Sequence, residues 1–227
     1  MDKSIEALLI KHTYEPGKKI GAGTQGAIYE LVNHPNKVLK LTSDENEAFA
    51  SQIVSRYNLK NVVKIYKVYF LKSTDLYIVI MEKLNKISKK DEDNWYFFFE
   101  IMNKLSYIPN KETEKVTETT QIAKFKNSEE WAIFALETLK KYSKKTSAGK
   151  RSFETIYTIV TEHLLDSKLL NDVFEGLKEI GQLGINYMDF HEQNIMIDSS
   201  GNFKIIDLGY SISPLAKINI LEKRNNE

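Results

Sequence analysis

The sequence predicts an α+β chain in two parts, strand-rich first and helical afterwards. Alternating apolar residues dominate 14–84, whereas 85–186 carries apolar residues at the three- and four-residue spacing of helices. A short alternating pattern returns at 195–206 around a polar turn. The two parts are expected to divide near Glu82–Lys86, giving domains of 1–84 and 85–227.

In the first part, Lys18-Lys19-Ile20 leads into a glycine-rich segment, and Ala27–Val32 follows as a strand. Asn33-His34-Pro35-Asn36 reads as a turn before the strand Lys37–Leu41. Thr42-Ser43-Asp44-Glu45 has the S/T-x-x-E form of a capping box, which predicts a helix continuing through Glu47, Ala50 and Val54 and commits Glu45 to the cap. Strands at Val62–Leu71 and Leu76–Met81 complete an expected five-stranded antiparallel sheet with one helix.

In the second part, Asp91–Ile108 places Trp95, Phe98, Phe99, Met102 and Leu105 at helical spacing. Asn127-Ser128-Glu129-Glu130 opens another helix, with Trp131, Phe134, Ala135 and Leu139 on one face. Phe153–Leu165 and Leu169–Leu183 are the last two, the latter ended by Gly184, and polar loops are expected at 109–120 and 143–152. Ile195–Ile197 and Phe203–Ile206 flank the turn Asp198-Ser199-Ser200-Gly201-Asn202 as a hairpin. No internal repeat or heptad run interrupts this order.

Composition narrows the function classes. At 227 residues, 42% hydrophobic and 28% charged, the chain has the balance of a soluble globular protein. No apolar run reaches the ~20 residues of a membrane span, and Asp2, Lys3 and Glu6 break any signal-peptide pattern. With no cysteine, disulfides, thiolate catalysis and cysteine-ligated zinc are excluded, and a cytoplasmic location is expected. A net charge of +1 gives no global drive toward nucleic acid or an anionic membrane, so neither is expected as a partner. The four histidines lack zinc-ligand spacing, and Ser147–Ser152 lacks the first glycine and the Ser/Thr of a phosphate-binding P-loop.

Chemistry concentrates in two places. Gly21, Gly23 and Gly26, with Ile28 two residues on, form a G-x-G-x-x-G between strands, where backbone N–H groups can approach phosphate oxygens. Lys40 follows fourteen residues after Gly26, at the end of an alternating run and just before the acidic helix. Far downstream, Asp189 and Asn194 stand five residues apart, and Asp207 emerges after the hairpin, followed by Leu208-Gly209. Two carboxylates and a carboxamide beside short apolar strands can hold Mg²⁺ and leave one carboxylate to face a hydroxyl. Phosphoryl transfer needs little more from a protein than such positioning and charge neutralisation.

In this order the signals resemble the protein-kinase-like superfamily, over roughly residues 14–84 and 165–211. The resemblance implies a two-lobed fold, with a small antiparallel β N-lobe and a truncated helical C-lobe, binding MgATP in a cleft. It implies that the glycine loop covers the phosphates and that Lys40 contacts them, with Glu47 its orienting partner and Glu45 the reserve. Ile80–Leu84 resembles a hinge whose backbone at Glu82 and Leu84 would meet the adenine. Asp189 would be the catalytic base, and Asn194 and Asp207 the Mg²⁺ ligands. The γ-phosphate of ATP would pass to a hydroxyl acceptor.

Departures from the pattern bear on the acceptor. Tyr187-Met188 stands where His-Arg is usual, which puts coupling to a phosphorylated activation loop in doubt. His191 replaces a lysine, so the D-x-H-x-x-N motif is similar to that of aminoglycoside and choline phosphotransferases. Eighteen residues follow Gly209 in this sequence, without an A-P-E segment, so acceptor recognition would come from 85–165 or from a protein partner. The complete glycine loop favours a protein Ser/Thr acceptor, and His191 favours a small-molecule alcohol. A pseudokinase binding module and a nucleotidyl transferase are the other readings.

Overall fold

The computed structural model describes residues 2–23, 26–106, 111–143, 147–187, 189 and 192–209. They form an α+β chain of two compact units. One takes the described residues of Met1–Leu59 and Val63–Leu84, the other those of Lys60–Val62 and Asn85–Ser213.

The first unit opens with α1 (Lys3–Lys11), capped by the Asp2 carboxylate, which accepts from Ser4 N at 2.8 Å. Five antiparallel strands follow: β1 (Pro16–Gly23), β2 (Gly26–Leu31), β3 (Lys37–Thr42), β4 (Ile65–Leu71) and β5 (Leu76–Glu82), in the order β1-β2-β3-β5-β4. Ile5 and Leu9 of α1 pack with Leu31, Leu39, Leu41, Ile78 and Ile80 in one buried apolar cluster. The helix α2 (Glu45–Val54) packs against β3, β4 and β5 and buries Ala48, Phe49, Ala50 and Val54. Cover from both helices explains why Ile78–Met81 is buried without alternation.

Three expectations are corrected here. The α2 cap is Asp44, whose carboxylate accepts from Asn46 N at 2.8 Å and Glu47 N at 3.2 Å, while the Thr42 hydroxyl accepts from Asp44 N. Glu45 is therefore the first helical residue rather than the closing arm of a capping box. The fourth strand starts at Ile65, because Lys60–Val62 leaves this unit and Val62 bridges Ile205 in parallel. Lys40 lies inside β3, two residues before its end.

The second unit holds α3 (Lys89–Ser106), α4 (Lys111–Thr117), α5 (Thr119–Ile122), α6 (Ser128–Ser143), α7 (Ser147–Ile159) and α8 (Lys168–Gln182). A three-stranded antiparallel sheet of β6 (Asn85–Lys86), β7 (Ile195–Ile197) and β8 (Phe203–Ile205) completes it, in the order β6-β7-β8. Trp95, Phe98, Trp131 and Phe174 make a chain of ring contacts with centroids 5.5, 4.8 and 5.7 Å apart, and the Trp131 indole donates to Val116 O at 3.1 Å. α8 starts on the Ser167 cap, which accepts from Leu170 N, and ends as Gly184 turns at φ +72° and donates to Gly181 O.

The expected loops at 109–120 and 143–152 are largely helical. α4 and α5 bury only Thr113, Val116, Thr119 and Ile122, too sparse an apolar stripe to register as periodicity. α7 begins at Ser147 rather than Phe153, through the helix formers Ala148, Lys150 and Arg151, and its end widens into a π-turn, Val160–Leu164. No helix among the described residues is long and apolar enough to cross a membrane. The tail 213–227 lies outside the described residues.

Candidate functional site

In the first unit, the β1–β2 hairpin sets Gly21 opposite Ile28, Ala22 opposite Ala27 and Gly23 opposite Gly26; Thr24 and Gln25 lie outside the described residues. The glycines are not equivalent. A Cβ on Gly26 would fall 2.1 Å from Leu41 O, so this residue is glycine because β2 and β3 approach there, whereas a Cβ on Gly23 would meet nothing within 4 Å. Ile28 pairs in turn with Lys40, which also faces Val79 across β5.

Lys40 Nζ forms an ion pair with Glu47 Oε1, and the two side chains are 12% and 6% exposed. Asp44 brings this about by capping the first turn of α2 and fixing Glu47 at its third position, over β3. Glu45 Oε1 accepts instead from the Tyr77 hydroxyl at 3.5 Å. At the end of β5, Glu82 is tied into its own sheet. Its N–H donates to Lys64 O at 2.9 Å, and its carboxylate accepts from Lys64 N at 2.6 Å. Leu84, two residues on, is partly buried.

In the second unit, the β7–β8 ladder aligns Ile195 with Ile205 and is extended by Ile206 N donating to Asn194 O at 3.0 Å. This extension sets the backbone of Asn194 beside the residue preceding Asp207. The turn between the strands is closed by Asp198, which accepts from Ser200 N at 2.8 Å and Asn202 N at 2.9 Å. Asn194 is buried, and its carboxamide donates to Asp189 Oδ2 at 2.8 Å and Asp189 O at 3.2 Å. The carboxamide thus spends its N–H donors on Asp189 and keeps an oxygen that can only accept. Asp207 Oδ1 accepts from Gly209 N at 3.0 Å, and Leu208 is buried.

Tyr187 lies at the centre of these residues. It is 2% exposed, and its hydroxyl donates to Asp189 O at 2.5 Å. Burial pushes its phenol well above the usual range, and the charges of Asp189 and Asp207 push it further. The hydroxyl therefore stays a neutral donor near two carboxylates. Behind it, the buried Thr119 hydroxyl accepts from Tyr187 N at 2.9 Å and donates to Ile185 O at 2.7 Å, while Thr119 N donates to Asn186 Oδ1 at 2.9 Å. α5 reaches this position because Gly181 has no side chain: a Cβ there would fall 2.2 Å from Thr119 O.

Sequence reasoning missed Thr119 and read Tyr187 only as a replacement. The available signal was a tyrosine inside an otherwise apolar segment, where a buried phenol requires a partner. His191 and Met188 lie outside the described residues.

Among the described residues, no group of three or more His, Cys, Asp or Glu is arranged to hold a metal. Asn194 and Asp207 each carry a hard oxygen donor of the type that Mg²⁺ takes. Comparison with known proteins gives no family: no family model matches the chain, and neither does any curated protein.

Proposed function

We propose that the chain is an ATP-dependent phosphotransferase with a two-lobed, protein-kinase-like fold, passing the γ-phosphate of MgATP to a hydroxyl. The carrying observation is the Asp189–Asn194 hydrogen bond beside Asp207, three residues whose types and order suit an acceptor base and a cation site. Asp189 accepts the hydroxyl proton as the acceptor oxygen attacks the γ-phosphorus, the bond from that phosphorus to the β–γ bridging oxygen breaks, and ADP leaves. Asn194 and Asp207 would hold Mg²⁺, which when bound would neutralise charge on the phosphates. Lys40, oriented by Glu47, contacts those phosphates, and the glycine hairpin offers backbone N–H groups to them. Adenine recognition falls to the backbone around Glu82 and Leu84, with the Leu84 end favoured because the Glu82 N–H is already bonded to Lys64 O.

A protein Ser/Thr acceptor is the first reading, on the complete glycine hairpin; a small-molecule alcohol is the second, on His191. Incubation with γ-labelled ATP and Mg²⁺ tests both, with a protein mixture and a set of amino- and hydroxyl-bearing small molecules as acceptors. Label should move to one class and be lost in Asp189→Ala and Asp207→Ala. Stabilisation by MgATP without transfer would leave a nucleotide-binding module, and no response to ATP would reject the reading.

A further inference from the structure

We propose that Tyr187 is a positioning residue of the transfer reaction, its hydroxyl fixing the Asp189 backbone while Thr119 anchors Tyr187 from behind. This rests on the phosphotransfer reading of Asp189. A phenylalanine would fill the same buried space without placing a hydroxyl in it. That hydroxyl and Asn194 Nδ2 are two donors converging on the Asp189 carbonyl, at 2.5 and 3.2 Å. The same amide of Asn194 holds the Asp189 carboxylate. Carbonyl and carboxylate of one residue are thus pinned together, which limits both its backbone rotation and its side-chain rotamer.

The pin is itself anchored. Tyr187 N donates to the Thr119 hydroxyl, and that hydroxyl donates to Ile185 O, so one buried side chain holds the segment leading into Asp189 at two points. Thr119 is at the first turn of α5, whose carbonyl sits against Gly181 of α8. The path from α8 to the carboxylate is therefore Gly181, Thr119, Tyr187, Asp189. Positioning through buried hydrogen bonds of this kind raises turnover by holding a reactive group where it must act.

The test uses the full chain. Tyr187→Phe should lower kcat 10- to 100-fold while the KM for ATP, the melting temperature and its rise with MgATP stay within error of wild type. Thr119→Ser, which keeps the hydroxyl, should retain kcat, whereas Thr119→Val should lower it as Tyr187→Phe does. Unchanged kcat in Tyr187→Phe, in a wild type that transfers phosphate, would overturn the positioning role alone. A fall in kcat matched by an equal loss of melting temperature and ATP affinity would also overturn it, since a structural role would produce that. Absence of transfer by the wild type would overturn this inference together with the phosphotransfer reading.

Discussion

Asn194 holds Asp189 by two oxygens at once, donating its amide to the carboxylate at 2.8 Å and to the backbone carbonyl at 3.2 Å. The carboxylate is oriented before any substrate arrives. Its contribution should accordingly appear in turnover rather than in binding. Asp189→Asn is expected to lower kcat by about 10²- to 10⁴-fold, the usual contribution of a positioned base, with MgATP still raising the melting temperature. Steady-state kinetics beside a thermal-shift titration would check both halves.

Lys40 and Glu47 form a largely buried ion pair between β3 and α2. Breaking a buried ion pair from one side costs more than replacing both partners by apolar side chains of similar size. Glu47→Ala should cost on the order of 3 kcal/mol of stability, and Lys40→Met with Glu47→Leu less than that single change. Urea denaturation of the single and the double variant would measure the difference. Phosphate transfer should be lost in both.

The glycine hairpin separates structure from function. Gly26→Ala forces a Cβ onto Leu41 O and should destabilise by about 1–3 kcal/mol, as overpacking does. Gly23→Ala meets no such obstacle. It should leave the melting temperature unchanged and raise the KM for ATP, because an added methyl group would hinder phosphate approach to the backbone. Equal melting losses in the two variants would contradict this division.

Asp198 organises the β7–β8 turn that presents Asn194 and Asp207. Burial raises its pKa, but this is outweighed by the backbone and side-chain bonds from Asn202, the Ser200 N–H and the nearby Lys204, so the carboxyl titrates below its ordinary 3.8. A pKa lowered in the folded state contributes stability above the unfolded value, and that contribution fades as pH falls through the folded value. The destabilisation caused by Asp198→Ala should thus be constant from neutral pH down to about 4 and shrink below it. Chemical denaturation across that range would detect the change.

The strands and the β7–β8 hairpin were legible because alternation and turn chemistry are local. Asp189, Asn194 and Asp207 were singled out by their likeness to a kinase motif, and Asn194 does bond to Asp189. Glu47 was preferred over Glu45 as the partner of Lys40 because a capping box was expected to commit Glu45; the ion pair does form with Glu47, but Asp44 is the cap. What stayed hidden depends on distant neighbours. Thr119 matters because of Tyr187, 68 residues later, and α4 and α5 fold on a sparse stripe completed by Trp131 and α8. α1 was unread because its nine residues were weighed only as a broken signal-peptide pattern, although Ile5 and Leu9 stand one helical turn apart and are both buried.

Lys60 N and Asn61 N both donate to the Glu179 carboxylate, at 3.0 and 3.1 Å, and Asn61 also bonds to Phe203 O and Ile205 N. Three residues from the early part of the gene are thereby built into the later unit. A fragment expressed from Asn85 onward would lack them, exposing a carboxylate that has lost its two amides and a strand edge without its neighbour. Engineers seeking a minimal piece for crystallography or chimera building should keep this tripeptide, since a cut at the apparent border would remove part of the very body it was meant to isolate.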